Sequence, residues 1–464
     1  MADTELEARR TERRRMMLED PVLKVIPILA LPMIISMLID SFYNIADTYF
    51  VSQLGIAATA AVGVNDSTTH FMRAVAMGFG MGASSYISRL LGAKRDDDAS
   101  RVASTTFFTA LIFLSLFAAV VYIFVDPIVE LLGATESVKP YSIDYARWIL
   151  LSAPFTAGEV VLSQTLRAEG SSKYSMFGMV SGCVVNVVLD PIFINVFGLE
   201  VAGAAIATTI SKVVSFCVLL SPFLRNKCIV EIKFRYFTPK LSIYKEVAKM
   251  GIPTFLRISL MTISTVVVNT YAGSFSDAAL AATSVASKCT RLVGSAIMGF
   301  GQGFQPLAGY CWGAKRYDRV RKGFYCCCGI GAVVAVVLGA AMVGASRPLV
   351  YIFAPGEEET IRIGSRIIRT QCYVMPLHIW VMIINSLFQA LGRPVASTVL
   401  GLARQALCLI PAVIILSKLF GVDGLSVAQA AADALSFAIA LPLFLRINKE
   451  IKQKECEQAQ LSQE

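Results

Sequence analysis

The sequence predicts an all-α membrane protein of twelve transmembrane helices, arranged as two pseudo-symmetric six-helix bundles. Composition gives the first reason: 55% of the 464 residues are hydrophobic and 16% are charged, whereas soluble domains carry about 25% charged residues. Uncharged stretches give the second. Residues 102–125 and 326–345 carry no charge, and each is long enough to cross roughly 30 Å of hydrocarbon as a helix.

An internal repeat gives the third reason. The run Met-Gly-Phe-Gly at residues 77–80 recurs at 298–301, and Gly-Ala-Lys-Arg at 92–95 recurs at 313–316, both 221 residues later. Prolines repeat on nearly the same step, as Pro32 with Pro253, Pro154 with Pro376, and Pro191 with Pro411. A repeat near half the length of an apolar chain indicates two similar membrane lobes, with a transport site expected between them.

The twelve predicted spans are centred near residues 36, 70, 113, 155, 185, 212, 262, 291, 335, 377, 407 and 435. The predicted divisions are an N-terminal tail 1–21, an N-lobe 22–224, a linker 225–250, a C-lobe 251–445 and a frayed C-terminal tail 446–464. Loops after even-numbered spans are rich in Lys and Arg. Both termini are therefore expected in the cytoplasm, on a plasma or inner membrane.

Several functional classes are disfavoured. The net charge of +9 arises largely from basic residues in short loops, where they set topology, so no nucleic-acid partner is expected. No phosphate-binding glycine loop, nucleophile–base set or metal cluster is recognisable, and the eleven cysteines show no C-x-x-C pair. The chain is therefore expected to be no enzyme and to need no cofactor beyond a coupling proton or sodium ion.

Ionisable residues inside spans are functional candidates by default, because lipid does not tolerate them. The first span carries Asp40, Tyr43, Asn44 and Asp47. Their spacings of three, four and seven place all four on one helical face. That face is expected to line a cavity or the interior of the lobe.

The fifth span carries Asn186 and Asp190, followed by Pro191, and the sixth carries Thr208. If Asp47 and Asp190 lie on facing helices, they could bind and release a proton, because burial disfavours the charged form. They could equally share a sodium ion with Asn186 and Thr208. Each could also be an inert, hydrogen-bonded polar group. Stepping by the repeat offset gives no equivalent acids, so the pair belongs to the first lobe alone.

Other polar residues in spans are weaker candidates for cavity or substrate contact. Asp66, His70 and Arg73 form a stripe in the second span, which could neutralise itself or touch a charged substrate. His378 in the tenth span stands alone and is expected in a core or cavity wall. Arg257 in the seventh span completes this set.

The order and spacing of several motifs resemble the multidrug and toxic compound extrusion (MATE) family. The first-half motifs are Leu31-Pro32, Tyr43-Asn44-x-x-Asp47-Thr48, Gly78-x-Gly-x-Gly82, Gly92-Ala93-Lys94, Leu166-Arg167-Ala168-x-Gly170 and Asn186-x-x-x-Asp190-Pro191. The second-half motifs are Gly251-Ile252-Pro253, Gly299-x-Gly-x-Gly303, Gly313-Ala314-Lys315 and Phe388-Gln389-x-x-Gly392. Together they cover roughly residues 20–445.

The resemblance implies two six-helix bundles, alternating access, and drug export driven by a proton or sodium gradient. In the bacterial branch similar to DinF and MepA, it implies a coupling site at Asp47 and Asp190. The implied partners are Tyr43, Asn186 and Thr208, with Ser163 or Gln164 of the fourth span. The chain departs from the family pattern in its charged Asp40, Asp66 and Lys212, and it lacks the carboxylates that another branch carries in spans seven and ten.

The expected protein is a monomeric secondary antiporter that exports amphipathic, cationic drugs or toxic compounds and contacts membrane lipid. A lipid-linked oligosaccharide flippase of related architecture is the alternative. It would need a cationic cavity, for which Arg73, Lys212 and Arg257 give some support, while the paired acids argue against it. An intramembrane enzyme is a third reading, without a recognisable catalytic set.

Overall fold

The computed structural model describes the backbone of residues 2–461 and the side chains in that range other than those of residues 2–6, 9, 45, 48, 49, 52, 56 and 461. Every regular element in that range is helical. The helices are α1 Ala2–Leu18, α2 Val22–Ser52, α3 Ile56–Gly92, α4 Asp96–Ile123, α5 Val125–Leu131, α6 Lys139–Leu151, α7 Ala153–Ala168, α8 Ser172–Pro191, α9 Glu200–Leu224, α10 Leu241–Phe275, α11 Asp277–Gly313, α12 Tyr317–Phe353, α13 Glu358–Tyr373, α14 Met375–Leu391, α15 Pro394–Leu402 and α16 Ile410–Leu461.

All twelve predicted span centres fall inside helical segments. Within the described range, seven helical stretches could cross a membrane by length and composition alone, or nine if each of two bent pairs forms one span. Two more predicted spans are α3 and α11, which are less apolar because they are rich in glycine, serine and other small or polar residues. The eleventh and twelfth predicted spans lie in one continuous helical stretch, which is interrupted at Gly421, where φ is 61°. The fold class predicted from the sequence is confirmed.

The repeated prolines mark the bends. The α6–α7 pair bends by 46° and the α13–α14 pair by 55°. Pro154 and Pro376 lie in the first turn of the second helix of each pair, where the missing N–H of proline has no helical partner to lose. Pro191 and Pro411 instead border π-helical turns, at Ile192–Val196 and Ala403–Leu409. The two halves therefore repeat their irregularities as well as their helices.

The chain divides into two compact units. Unit 1 comprises residues 1–19 and 35–255, and unit 2 comprises residues 20–34 and 256–464. The first half of α2 thus belongs to unit 2, and the first half of α10 belongs to unit 1. The predicted lobe bounds keep α2 whole in the N-lobe and divide α10 between the linker and the C-lobe; they stay a prediction.

The repeated glycines allow close packing of the two half-helices just described, the first half of α10 in unit 1 and the first half of α2 in unit 2. In unit 1, a Cβ atom on Gly82 of α3 would lie 2.2 Å from the Val247 carbonyl oxygen, at the start of α10. In unit 2, a Cβ atom on Gly303 of α11 would lie 2.4 Å from the Ala30 Cα atom of α2. Such distances are too short for any side chain, so glycine is required where the helices cross.

Helices lie at both ends of the described range, with α1 beginning at Ala2 and α16 ending at Leu461. Arg13 of α1 forms an ion pair with Glu169, which is fully buried and also accepts hydrogen bonds from the backbone nitrogens of Ile229 at 2.8 Å and Val230 at 3.1 Å. At the other end, Arg321 Nη2 lies 2.9 Å from Glu455 Oε1. The frayed tail expected at 446–464 stays a prediction; α16 extends as far as Leu461, and residues 462–464 lie outside the described range.

Candidate functional site

The candidate site is built on one face of α8. Gly178, Gly182, Asn186 and Asp190 follow one another at intervals of four, and all are buried. A Cβ atom on Gly182 would lie 2.9 Å from the Ser215 Cβ atom of α9. The two glycines therefore let α8 and α9 approach closely, and the polar residues that continue the same stripe are held against α9.

Asn186 and Asp190 have no solvent exposure. With the Asn186 amide oriented to satisfy both of its ends, its nitrogen lies 2.8 Å from Asp190 Oδ2. Its oxygen then lies 3.3 Å from Thr208 Oγ1 and 3.2 Å from the Thr208 backbone nitrogen. The Tyr43 side chain of α2 also interacts with Thr208. Three of the five coupling-site residues predicted from the sequence are thus joined by hydrogen bonds, and a fourth interacts with one of them.

Asp47 is the fifth predicted residue and is partly buried. Its charge interacts with that of Asp190, and both carboxylates interact with Tyr43. Among the described residues, no basic side chain forms an ion pair with Asp47 or Asp190. When both are ionised, the two carboxylates therefore repel each other, and no basic side chain of the described residues compensates their charge.

Asp40 and Glu159, two other acids of unit 1, are compensated by basic side chains. Arg73 Nη2 of α3 lies 3.2 Å from Asp40 Oδ2, and Lys212 Nζ of α9 lies 3.0 Å from Glu159 Oε2 of α7. Ion pairing makes these four residues a neutral set. The structure thereby separates two kinds of membrane-depth carboxylate that the sequence could not distinguish.

The site can bind a proton or a small hard cation. Two carboxylates, an amide oxygen and hydroxyl oxygens are donors that hard cations such as Na⁺ accept. A proton shared by the two acids would equally relieve their repulsion, as in carboxylate pairs that cannot both ionise. Either occupant would be substrate rather than a resident cofactor.

The residues of the predicted stripe in the second span have different partners in the structure. Arg73 pairs with Asp40 instead of neutralising Asp66 and His70. Asp66 and His70 are exposed and interact with each other. A helical stripe on one span does not reveal partners on another, so the correct pairing could not be found from the sequence.

Three further candidates have other contacts. The Ser163 hydroxyl lies 2.7 Å from Ser175 Oγ, and Gln164 Nε2 lies 3.7 Å from the sulfur of Met77. Asn44 is exposed and donates to the backbone oxygen of Asp40. None of these contacts joins the residue to Asp47 or Asp190.

Unit 2 contains its own polar group. Arg404 Nε donates to Asp433 Oδ1 at 2.6 Å, and His378 Nδ1 lies 3.3 Å from the same oxygen. The expectation that His378 stands alone is therefore wrong, because α16 brings a carboxylate to it. Arg257 of α10 lies near Arg404 and forms no ion pair with a described carboxylate.

Tyr145 is a site residue that the sequence did not indicate. It lies on α6, is buried, and interacts electrostatically with Asp47, Asp66 and Asp190. A tyrosine between Asp144 and Arg147 carries no signal of its own. Its position follows from packing in one hydrophobic cluster with Ala61 of α3 and Ala205 of α9.

A helical fold of many spans, with uncompensated acids at membrane depth, defines a multi-pass membrane protein of the transporter class. The MatE family profile matches residues 32–192 and 253–415, so the chain belongs to the MatE family of transporters and is not an enzyme. The second match begins 221 residues after the first, at residue 253 against residue 32. The family match thus has the same offset as the repeated motifs.

Named relatives agree with this membership. The chain is 28% identical over 407 residues to the multidrug export protein MepA of Staphylococcus haemolyticus (strain JCSC1435), which covers 88% of this chain and 89% of that protein. A crystal structure of MATE in complex with MaL6 is 25% identical, with a TM-score of 0.90 over 95% of this chain and 99% of that one. An outward-facing multidrug resistance MATE family transporter of the MOP superfamily is 26% identical, with a TM-score of 0.89 over 95% and 98%.

Proposed function

We propose that the protein is a secondary antiporter that exports amphipathic, cationic drugs or toxic compounds in exchange for protons or sodium ions. Asp47 and Asp190 bind the coupling ion, and Asn186, Thr208 and Tyr43 hold Asp190 in place. Multidrug export is the stated role of the MepA relatives, and it is extended here to this chain.

The observation that carries the proposal is the contrast between the acids of unit 1. Asp40 and Glu159 each have a cation within 3.2 Å, whereas Asp47 and Asp190 have none among the described residues. A compensated carboxylate has little reason to take up an ion. An uncompensated pair in a poorly hydrated setting gains from a bound proton or cation, which is the property that coupling needs.

The coupling ion acts by differential binding. An ion taken up from outside lowers the free energy of whichever conformation holds the two acids together, and it can shift the conformational equilibrium only by its difference in affinity between states. A cationic substrate and the ion would compete for the same negative charge. Ion entry would then favour substrate release, which is antiport.

Setting and assembly follow the sequence-based expectation. We place the protein as a monomer in the plasma or inner membrane, with both termini cytoplasmic, because the basic loops lie after even-numbered spans. Drug-like small molecules and membrane lipid are its proposed partners. Basic residues near the N-terminus also form ion pairs with the rest of unit 1, such as Arg13 with Glu169.

The flippase alternative loses most of its support in the structure. It relied on Arg73, Lys212 and Arg257 as free cations for a pyrophosphate. Arg73 and Lys212 are ion-paired to Asp40 and Glu159, so two of those three charges are already neutralised.

Substitution of the acids tests the proposal. Asp190→Asn and Asp47→Asn should each abolish gradient-driven efflux of a cationic dye from cells while membrane expression is retained. Asp126→Asn, at an exposed carboxylate on α5, is the matched control and should export normally. Normal export by both site variants would refute the coupling assignment.

A further inference from the structure

Arg257 carries a charge that the described protein does not neutralise. Its Nε atom is buried without a hydrogen-bond partner, and it forms no ion pair within the described range. The charged group that acts on it is another cation, Arg404. A guanidinium is always protonated, so this arginine is held at membrane depth as a positive charge.

Its neighbours do not supply the missing anion. Asp433 is the carboxylate of this group, and it is 2.6 Å from Arg404 and 3.3 Å from His378. Asp433 is therefore already engaged by Arg404 and His378, and the positive charge of Arg257 is left without a partner among the described residues. Leaving a buried charge unpaired is costly, and such a residue is retained in a membrane segment where it has a function.

The helical segment that packs beside Arg257 is irregular. Arg404 lies in the π-helical turn Ala403–Leu409, which interrupts the helix between α15 and α16, and such turns occur frequently at functional sites. A Cβ atom on Gly401 would lie 3.4 Å from the Arg257 Cβ atom, so the arginine stem runs along α15 just before this turn. Ser264, two turns along α10, lies 3.3 Å from the Gln405 backbone oxygen.

The arginine can be reached, because Arg257 as a whole is partly exposed although its Nε is buried. A guanidinium carries five N–H donors in a planar fork, which matches the two oxygens of a carboxylate or the oxygens of a phosphate. A positive, partly accessible and unpaired fork beside a second arginine is suited to such an anion.

We propose that unit 2 holds an anion-binding site centred on Arg257, with Arg404, Asp433 and His378 as its surrounding group. Its ligand is an oxyanion: the carboxylate of a zwitterionic exported compound, or the phosphate of an anionic lipid headgroup. This rests on the proposed export function for its biological use.

The test uses one rhodamine dye in two forms, the cationic ethyl ester and the free acid, which differ only in the masked carboxylate. Fluorescence polarisation with purified full-length protein in detergent gives the Kd of each. Arg257→Gln should weaken binding of the free acid about tenfold or more, the effect of losing a charge-assisted hydrogen bond, and leave the ester unchanged. Arg257→Lys, which keeps the charge, should retain part of the affinity.

The ester serves as the folding control, since a misfolded variant would lose both forms. Arg366→Gln is the matched arginine control, because Arg366 is half-exposed and paired with Asp423 elsewhere in unit 2. An equal effect of Arg257→Gln on both dyes, or no effect on either dye and on lipid competition, overturns the proposal.

Adding phosphatidylglycerol to the micelles distinguishes the two sources of the anion. Selective, Arg257-dependent displacement of the free acid assigns the site to a lipid headgroup as well. Persistent binding of the free acid assigns it to the carboxylate of the exported compound. These binding measurements need no ion gradient, so absence of gradient-driven transport would count against the proposed function and leave the anion site to be decided separately.

Discussion

The amide nitrogen of Asn186 lies 2.8 Å from Asp190 Oδ2, one helical turn further along α8, in the amide orientation that also satisfies Thr208. Asp190 itself has no solvent exposure. This contact holds the more buried of the two uncompensated acids in a defined position. The other end of the Asn186 amide contacts Thr208. A substitution at Thr208 therefore disturbs the site without changing any charge.

Thr208→Val removes the hydroxyl that Asn186 and Tyr43 contact. Gradient-driven dye efflux is expected to fall roughly tenfold, corresponding to about 1.4 kcal/mol of lost positioning energy. Expression should stay near wild type, since the substitution is nearly isosteric. Efflux rates at matched membrane protein levels measure the effect.

Thr209→Val provides the control on the next residue of α9. The Thr209 hydroxyl contacts only backbone oxygens among its described partners, those of Ala205 at 2.8 Å and Trp148 at 2.9 Å. Its loss should leave efflux close to wild type. If the two valine variants lose activity equally, Thr208 has no special place in the site.

The Asp40–Arg73 pair should behave as a compensated structural unit. Asp40→Asn and Arg73→Gln should each lower thermal stability in detergent, because each leaves a charge unpaired at membrane depth. The double variant should recover part of the loss, with a coupling energy of about 1 kcal/mol, kept modest because Arg73 is half-exposed. Strictly additive losses would mean that the two residues do not act as a pair.

Gly82→Ala should destabilise the protein by about 1–3 kcal/mol or prevent its folding, as overpacking of a tight contact does. Its added methyl group would lie 2.2 Å from the Val247 carbonyl oxygen, so backbone would have to move. Gly63→Ala, also in α3, meets nothing within 4 Å and should be neutral or slightly stabilising. The shift in Tm of the purified variants separates them, and equal shifts would contradict the crossing of α3 with α10.

Glu169→Ala should destabilise the end of unit 1 by about 3–5 kcal/mol, because it strips the partner from Arg13 and leaves two buried backbone N–H groups unsatisfied. Limited proteolysis near Arg13, together with Tm, measures the loss. Glu136→Ala, at an exposed glutamate, should change neither. Unchanged protection near Arg13 in the Glu169 variant would show that α1 is held by other contacts.

The fold was readable from the sequence because its signals are long and repeated. Uncharged stretches such as residues 102–125 and the 221-residue offset do not depend on distant contacts. The exchange of the first halves of α2 and α10 between units was not readable, since hydropathy is the same whichever unit a span joins. The glycines at 82 and 303 indicated close helix contacts but not with which helix.

The site was predictable in part for the same reason. Spacing by four placed Asn186 and Asp190 on one face, and motif resemblance added Thr208 and Tyr43. Pairing across helices is beyond the sequence, which leaves the stripe of Asp66, His70 and Arg73 open between mutual neutralisation and substrate contact and does not indicate the pairs of Arg73 with Asp40 and of His378 with Asp433. Tyr145 is not indicated because its position depends on packing against two other helices.

Transport in proteoliposomes, with a pH gradient and a sodium gradient imposed separately, tests the central claim most directly. In wild-type protein, the pH gradient, the sodium gradient or both should drive transport of a cationic dye. The Asp190→Asn variant should lose this gradient-driven transport while still binding the dye. Dye transport by Asp190→Asn that still follows the imposed ion gradient at the wild-type rate would contradict the claim that this acid carries the coupling.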